Sequence, residues 1–470
     1  MPKPPPGAIS PTTARRPLTA AAISLGCPKN LVDTEVMLGL LHAAGFSIIA
    51  DMDEADVLLV NTCSFIGPAR DEAAEALRQA VHWRTFRADR ALVCAGCWPQ
   101  MNSEHLRARF PEVDAFMGPG DVANIASIVQ SALRRSGPTY PQAAPSAYLY
   151  DEHTPRLRTT PPWTAYLKVA EGCSHRCTFC VIPHLRGRYR SRPLPSIIAE
   201  ARHLAAQGVR EINLIAQDTT AYRDTDGADI SDLFSELAEV EELRWLRLLY
   251  GFPTRITARL IEVIASHSTI CDYLDLPFQH ADQGVLRAMG RPGDGDTYLR
   301  IITRLRKAMP DSAIRTSFLV GFPGEGEEEF KCLLDFIQEA QLDRVGAFCY
   351  SRERGTPAAD MPQQVPPEVA GERYHRLMSL QQRIAFSHNQ RWVGRQIEVL
   401  IESPRESPGE WVGRTFRDAP EVDGSVHLSV RGESPRPAFH PGAFVQATVT
   451  AADPYDLRAD LLSYRPRSTP

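Results

Sequence analysis

The residues with the clearest potential for chemistry are three cysteines in one short segment of the chain. Cys173, Cys177 and Cys180 follow a C-x3-C-x2-C spacing, and the run at 164–169 that precedes them is typical of a β-strand. A loop that leaves the end of a strand can close three thiolates around one face of a metal centre. Thiolates at this spacing suit either zinc or an iron–sulfur cluster.

The number of available ligands favours the cluster over zinc. Structural zinc takes four ligands, and neither a fourth cysteine nor a paired histidine lies nearby, while the short loop makes His175 an awkward fourth ligand. A 4Fe–4S cluster held by three cysteines leaves one iron open for S-adenosylmethionine (SAM), which one electron then cleaves to a 5′-deoxyadenosyl radical. With Phe179 in the aromatic position, the segment resembles the radical SAM superfamily signature. Zinc or a disulfide is the alternative interpretation.

The composition of the chain limits its class. Its 470 residues predict two to four domains, and 43% hydrophobic residues can bury ample core. The net charge of −5 provides no general basic field for nucleic acid, and no apolar run reaches the ~20 residues that span a bilayer. Ten cysteines in so long a chain are not a secreted disulfide framework. We therefore predict a cytoplasmic protein whose cysteines have metal or redox duties.

Apolar strands and amphipathic helices alternate over the first quarter of the chain. Strands at 20–25, 56–60 and 91–94 with helices at 33–44, 68–86 and 103–110 predict a doubly wound α/β domain.

Each of these three strands is followed by a cysteine, namely Cys27, Cys63 and Cys97. The carboxyl ends of parallel strands meet at one edge, so the three thiolates can converge there. Buried or idle thiols are the alternative. Cys94 competes with Cys97 but lies within its predicted strand, which favours Cys97, beside Gly96.

A second series of strands and helices follows from residue 163. Six strands, expected at 164–170, 210–216, 245–250, 272–276, 314–320 and 345–350, predict an open, partial (β/α)6 barrel with its chemistry at the carboxyl ends of the strands. Gln279 and His280 follow the fourth strand and either contact SAM or substrate or form a structural polar pair. Arg315, in the fifth strand, is a candidate partner for the SAM carboxylate. The GFPGEG loop at 321–326 either packs against the adenosyl group or is a plain turn.

The remaining segments complete the predicted domain plan. We expect a disordered tail at 1–16, a cluster domain at 17–133, a linker at 134–158, the central domain at 159–390 and a last domain at 391–460. Short strands at 397–401, 410–417, 426–430 and 444–450 predict a small antiparallel, OB-like β-barrel, a type that binds oligonucleotides or docks partners. Four arginines between 186 and 192 form either a basic strip that attracts an anionic partner or a solvated, salt-bridged face.

Longer motifs in separate domains resemble one family. They are SLGCPKNLVDTE at 24–35, NTCSFI at 61–66, GCSHRCTFCVIPHLRGRYRSRP at 172–193, DLPFQH at 275–280 and RTSFLVGFPGE at 315–325. Together they resemble the methylthiotransferases, radical SAM enzymes with an amino-terminal cluster domain and a carboxy-terminal TRAM barrel. The branch that acts on a ribosomal protein fits best, because the tRNA-modifying branch typically has GCQMN and QS where this chain has GCPKN and QH.

The resemblance implies two 4Fe–4S clusters, an auxiliary one on Cys27, Cys63 and Cys97 and a radical SAM one on the second cysteine set. It implies that one SAM supplies a methyl group to sulfur and that another starts radical attack on the β-carbon of an aspartate in small-subunit ribosomal protein uS12. No side chain need act as general acid or base. An electron donor such as flavodoxin or ferredoxin, a sulfur donor, and RNA or ribosome contact through the barrel complete the expected partners.

Two other functions compete with this one. The same chemistry on a tRNA adenosine is the nearer alternative, and a non-catalytic, metal-stabilised RNA-binding protein that uses its β-barrel is the more distant one.

Overall fold

The computed structural model describes residues 16–142, 148–407, 409–430 and 440–463. The predicted tail at 1–16, apart from Arg16, lies outside the described residues, as do residues 143–147 of the predicted linker and 464–470 after the last strand.

The first domain is a parallel sheet of five strands in the order β2-β1-β3-β4-β5, which confirms the doubly wound prediction. Strands β1, β3 and β4 are immediate neighbours, so their carboxyl ends share one stretch of the sheet edge. The elements are β1 (Thr19–Ser24), α1 (Pro28–Ala43), β2 (Ser47–Ile48), β3 (Val57–Thr62), α2 (Gly67–Thr85), β4 (Ala91–Gly96), α3 (Cys97–Arg109), β5 (Ala115–Met117), a 3-10 helix (Pro119–Asn124) and α4 (Ile125–Leu133).

The central domain is an open barrel of six parallel strands in the order β6-β9-β10-β11-β12-β13, as predicted. A two-stranded ribbon, β7 with β8, flanks the cysteine loop. The elements are β6 (Thr164–Lys168), β7 (Ala170–Glu171), α5 (Ile182–Arg186), β8 (Arg190–Ser191), α6 (Leu194–Ala206), β9 (Glu211–Ile215), α7 (Ile230–Ala238), β10 (Trp245–Leu248), α8 (Ala258–Ser266), β11 (Ile270–Asp275), α9 (Gln283–Ala288), α10 (Gly295–Ala308), β12 (Ala313–Val320), α11 (Glu327–Ala340), β13 (Arg344–Cys349) and α12 (Pro367–Gln390), with 3-10 turns at Thr219–Ala221, Pro253–Arg255 and Pro357–Asp360.

The last domain is a closed barrel in the order β14-β15-β16-β18-β17. Its strands are β14 (Gln396–Pro404), β15 (Glu410–Arg414), β16 (Val426–Ser429), β17 (Phe444–Ala452) and β18 (Leu457–Ser463). Four of the five strand pairs are antiparallel, but β16 and β18 pair in parallel, and β18 has no counterpart among the predicted strands. This parallel pair closes the sheet and removes its free edges.

Alternating side chains along the central strands divide their surroundings into two cores. Leu167, Leu214 and Leu246 face the outer helices, whereas Tyr166 and Trp245 face the barrel interior. The interior core is continuous with apolar residues of the first and last domains. Both neighbouring domains therefore pack directly against the barrel and are not connected to it by linkers alone.

The last domain covers the amino-terminal ends of the central strands. Its segment 415–423 reaches into the barrel, where the guanidinium of Arg344 donates to Asp418 at 2.7 Å and the Tyr273 hydroxyl donates to Asp423 at 2.6 Å. Because this end of the barrel is filled, the open carboxyl ends of the strands are left to the first domain.

The described part of the predicted linker packs against the domains on either side of it. Arg156 donates to Glu35 of the first domain at 2.6 Å and to Glu200 of the central domain at 2.8 Å. All three side chains are at least nine-tenths buried, so this segment is an interdomain strap rather than a free tether. No helix in the described ranges combines the length and the apolar character that crossing a membrane requires.

Candidate metal centres

The cysteine loop of the central domain is held by backbone contacts on both sides. Cys173 donates its N–H to the carbonyl of Gly187 at 3.0 Å, and Thr178 donates its N–H to Met289 at 3.0 Å. Gly172 begins the loop with a φ of +82°, and a Cβ there would come within 2.3 Å of the Arg188 carbonyl oxygen. The sequence thus needs glycine at this position for the loop to close.

The three thiols of this loop influence one another electrostatically. Burial raises the pKa of Cys173 to about 11 and that of Cys180 to about 12, and the Cys177 thiol adds to both shifts. All ten cysteines of the chain are free thiols. Binding a metal cluster at this loop requires the thiolates, so loading must displace protons from buried sulfurs.

The groups around the loop account for three ligands rather than four. The ring of His175 hydrogen-bonds through Nε2 to Asp218 at 2.6 Å and stacks on Phe252 with centroids 4.0 Å apart, so its Nε2 atom is already engaged. Arg291 places one guanidinium nitrogen 3.9 Å from the Cys177 sulfur and lies 4.3 Å from the Phe252 ring. The loop therefore offers three sulfurs with an adjacent positive charge.

The first domain forms a second set of three thiols. Cys27 precedes α1, Cys63 follows β3, and Cys97 is the first residue of α3. Gly26 has a φ of +88°, and a Cβ there would lie 2.5 Å from that of Cys63. Since Gly26 directly precedes Cys27, this contact places Cys63 beside Cys27, and burial together with the Cys27 thiol raises the pKa of Cys63. These residues lie at the switch point of a doubly wound sheet, where ligands bind.

Cys94 and Cys97, the two candidates for the third ligand of the first triad, have different surroundings. Cys94 lies in β4 and packs in the apolar core of the first domain, and its pKa of about 12 reflects burial there, opposed by a hydrogen bond with Thr62. Cys97 instead packs against Val181 and Leu185, just after the central cysteine loop. Val181 follows Cys180 directly in the chain, so the two cysteine triads are neighbours across the domain interface.

A buried charge network lies between the triads. Arg186, which is 98% buried, donates to Asp33 at 3.0 Å, to Glu171 at 3.0 Å and to Asn30 at 3.2 Å. Lys168 donates to the same two carboxylates at 2.5 and 2.8 Å. Two cations and two carboxylates from both domains thus neutralise each other through direct ion pairs, and we name this set the interdomain quartet.

The quartet also acts on the first triad. Burial raises the pKa of the Cys97 thiol to about 12, and the nearby Arg186 guanidinium opposes that rise with a hydrogen bond as well as its charge. Burial likewise raises the pKa of Cys27, but the cations Lys29 and Arg186 outweigh it, and the net pKa lies below the ordinary value. Within this triad only Cys27 is therefore shifted toward the thiolate, the form that binds iron, whereas burial keeps the pKa values of Cys63 and Cys97 above the ordinary value, so loading must displace protons there too.

Gln279 and Arg315, the two predicted SAM-binding residues outside the cysteine loop, lie elsewhere in the barrel. Nothing in their contacts tests the prediction that they bind SAM. Gln279 has a φ of +72° and pairs through its backbone with Ser317 and Leu319. Arg315 lies in the barrel interior, where it donates to Asp275 at 2.9 Å and faces Asp423 at 3.4 Å. Both residues stay predictions, with the Arg315 guanidinium already engaged by two carboxylates.

The four arginines after the cysteine loop do not form a continuous basic strip. Arg186 belongs to the quartet, and Arg192 is buried against Glu200 at 2.5 Å. Arg188 is exposed, while Arg190 donates to backbone carbonyls at 2.8 and 3.4 Å. Half of this segment therefore serves internal structure.

Sequence reasoning missed the residues that join the triads. Asn30, Asp33 and Glu35 are all buried on α1, although polar residues usually mark the solvated face of a helix. Tyr250, at the carboxyl end of β10, has a φ of +60°, a region that residues other than glycine rarely adopt. A cluster of polar residues directly after Cys27 was the available signal, but their partners lie more than a hundred residues away.

The donor set of each triad fits a three-cysteine iron–sulfur cluster. Each triad has three free sulfurs and an adjacent guanidinium, Arg186 at the first and Arg291 at the second. No three His, Cys, Asp or Glu side chains in the described residues are close enough to bind one metal ion together. A four-iron cluster binds each thiolate through a different iron, so its ligands need not converge on a single point.

Three sequence profiles match successive parts of the chain. They are the Uncharacterized protein family UPF0004 at residues 19–118, the Radical SAM superfamily at 167–337 and the TRAM domain at 393–462. The first match includes Cys27, Cys63 and Cys97, and the second includes the whole cysteine loop.

Similar proteins match over nearly the whole chain. The ribosomal protein uS12 methylthiotransferase RimO of Desulforamulus reducens is 46% identical over 93% of this chain and 98% of its own length. The RimO proteins of Heliobacterium modesticaldum and Geobacter sulfurreducens are 46% and 45% identical over 93% and 94% of this chain, and over 94% and 98% of their own lengths.

Solved structures support the fold. The radical SAM methyltransferase TsrM of Kitasatospora setae, with cobalamin and a [4Fe-4S] cluster bound, has a TM-score of 0.55 at 16% identity, covering 84% of this chain and 80% of that one. Its complex with tryptophan and a SAM analogue has a TM-score of 0.53 at 16% identity, covering 70% and 72%. At this identity the likeness concerns the fold alone.

Proposed function

Because the chain belongs to the RimO family of radical SAM methylthiotransferases, we propose that it transfers a methylthio group to the β-carbon of an aspartate in ribosomal protein uS12. In this proposal Cys173, Cys177 and Cys180 hold the 4Fe–4S cluster that binds SAM. The first triad, Cys27, Cys63 and Cys97, holds an auxiliary 4Fe–4S cluster. Gln279 and Arg315 are proposed to bind SAM.

The observation that carries the proposal is the adjacency of the two triads. Cys97 packs against Val181, the residue after Cys180, and the interdomain quartet fixes this contact from both sides. Transfer of a methylated sulfur to a carbon radical needs both centres to face one substrate atom, since the short-lived radical must react with a sulfur that is already close to it. Two neighbouring triads on rigidly docked domains meet that need.

The chain's own contribution is positioning and exclusion of water. When bound, the clusters and SAM supply radical hydrogen abstraction and a methylated sulfur. Asp218 holds the His175 ring by a 2.6 Å hydrogen bond, away from a ligand role. The quartet keeps both cysteine loops in one orientation, and the last domain closes the amino-terminal end of the barrel. The substrate is therefore left with the open end, beside the first domain.

The partners follow from the same family assignment. We propose an electron carrier such as flavodoxin or ferredoxin for the SAM cluster and a separate sulfur donor for the auxiliary cluster. The carboxy-terminal barrel matches the TRAM domain, and we propose that it contacts RNA or the ribosome. The cytoplasm is the compartment in which these partners meet.

The test is the mass of uS12 in cells with and without this gene. We expect uS12 to carry one methylthio group only when the gene is present. Complementation with Cys177→Ala should leave uS12 unmodified, while Cys332→Ala, which removes an exposed thiol outside both triads, should restore the modification. Unmodified uS12 with a gain of methylthioadenosine in tRNA would move the protein to the other branch. No change in either substrate would reject the proposal.

A further inference from the structure

A buried lysine beside the first triad has no carboxylate within ion-pair distance in the described part of the chain. Lys29 is 93% buried, and no ion pair or hydrogen bond of its ammonium occurs within the described ranges. Lys168, the other buried lysine near the triads, contacts Asp33 and Glu171 at 2.5 and 2.8 Å. Burying an ammonium without a counter-charge is unfavourable by several kcal/mol, so such groups are usually paired. Lys29 instead interacts with the Cys27 thiol and, at longer range, with Asp275 and Glu171, and none of these lies in ion-pair or hydrogen-bond contact with its ammonium.

The Lys29 ammonium lies against a strained tyrosine. Its Nζ is 3.0 Å from the centroid of the Tyr250 ring, a cation–π contact that stabilises the charge without using all three N–H donors. Tyr250 has a φ of +60°, held by its N–H bond to Asp275 at 3.0 Å and by the Thr219 N–H at its carbonyl. Strain of this kind costs ~1–3 kcal/mol and gathers at ligand sites.

This pair lies where the two domains meet around the proposed reaction centre. Lys29 follows Cys27 by two residues in the first turn of α1, and Tyr250 lies two residues after the end of β10, at the open mouth of the central barrel. Since Lys29 is two residues from Cys27 and its Nζ lies 3.0 Å from the Tyr250 ring centroid, the ring lies close to the first triad. The Lys29 ammonium therefore lies beside the proposed auxiliary cluster.

We propose that the Lys29 ammonium, on the face of Tyr250, binds the side-chain carboxylate of the target aspartate and so presents its β-carbon between the two triads. This inference rests on the proposed function, because that function supplies an acidic side chain as the reacting group. The carboxylate carbon is bonded directly to the β-carbon that loses hydrogen. One ion pair at the carboxylate therefore also positions the β-carbon. The substrate would supply the directly bonded carboxylate that Lys29 lacks among the described residues.

The test compares binding of purified uS12 with that of its variant in which the target aspartate is Asn, using the full chain loaded with both clusters. We expect the wild-type chain to bind the Asp form at least about tenfold more tightly, the value of one buried hydrogen bond to a charged group. Lys29→Met should reduce this ratio to near one, and Lys29→Arg should keep a preference for Asp. Lys307→Met, which removes an exposed ammonium on α10, should keep the wild-type ratio.

The ratio is measured on one preparation at a time, so partial misfolding of a variant affects both substrates equally and cancels. Iron and sulfide content gives a second readout, which Lys29→Met should leave at the wild-type level. A wild-type ratio in Lys29→Met would overturn the inference while leaving the proposed function intact. If the wild-type chain modified neither form of uS12, the proposed function itself would fail.

Discussion

Replacing Glu211 with Gln tests how the last domain is attached to the barrel. Glu211 opens β9, is fully buried, and accepts hydrogen bonds from Arg414 of the last domain at 2.8 and 3.1 Å and from Arg247 at 3.0 Å. The variant keeps the shape of the side chain but leaves the buried Arg247 guanidinium without a carboxylate and Arg414 with Glu402 alone. We expect a large loss in the free energy of unfolding.

The pKa of Glu211 sets the size of that loss. Burial alone would raise this pKa, but the guanidiniums of Arg414 and Arg247 outweigh burial and lower it to about 2, against an ordinary 4.5. A tenfold change in proton affinity is worth about 1.4 kcal/mol, so the ionised form gains about 3 kcal/mol from its partners. Breaking a buried ion pair by removing one member costs about 3–5 kcal/mol, in agreement.

Urea unfolding at pH 7, followed by tryptophan fluorescence, measures the loss. The matched control is Glu398→Gln, which breaks another pair between the same two domains, with the partly exposed Arg244. We expect this control to cost less than about 1 kcal/mol, because water screens the pair and replaces its contacts. Equal losses in the two variants would refute the claim that burial of the Glu211 site decides its contribution.

Acid titration tests the same electrostatics independently. A carboxyl group with a lowered folded-state pKa contributes stability that is complete above its unfolded pKa, here 4.5, and that disappears as the pH falls toward about 2. The gap between wild type and Glu211→Gln should therefore be constant from pH 7 to about 5 and narrow toward pH 3. A gap that stays unchanged at pH 3 would show that the loss comes from packing rather than from charge.

Three further outcomes test the cysteine triads and the interdomain quartet. Cys97→Ala should reduce the iron of the anaerobically reconstituted chain from about eight atoms to about four, whereas Cys94→Ala should keep all eight; the opposite pattern would exchange the two assignments. Cys177→Ala should abolish formation of 5′-deoxyadenosine while keeping about four irons, and continued SAM cleavage would contradict the assignment of the loop. Arg186→Met should lower the free energy of unfolding by about 3–5 kcal/mol, whereas Arg188→Met, at an exposed position, should cost under about 1; similar losses would mean that the quartet does not hold the domains together.

The central barrel was predictable because each of its strands is a short apolar run followed by a helix. The strand expected at 210–216 is β9 at Glu211–Ile215, and the strand expected at 314–320 is β12 at Ala313–Val320. Short elements were less accessible. β5, at Ala115–Met117, has only three residues, too few for a periodic pattern, and it is defined by pairing with β4.

The helix that carries most of the interface was predicted to begin too late. The sequence predicts that this helix starts at residue 33, but in the structure it starts at Pro28. The polar residues Lys29 and Asn30 interrupt the apolar periodicity in the first turn, so the pattern does not indicate a helix there. Their burial depends on Tyr250 and Arg186, which the sequence places far away. The cysteine ligands were accessible from spacing and strand ends, whereas the charges between them depend on how two domains dock.

The separation of Arg186 from the first triad has a consequence for biosynthesis. Cys27, Cys63 and Cys97 are translated well before Arg186, and domains generally fold in the order in which they leave the ribosome. A nascent first domain therefore carries its thiols, and the buried Asp33 carboxylate, without the guanidinium that faces them in the finished protein. Iron–sulfur assembly on the first triad should accordingly wait until the central domain has been translated and has docked. Both centres would then mature only after synthesis of the two domains is complete.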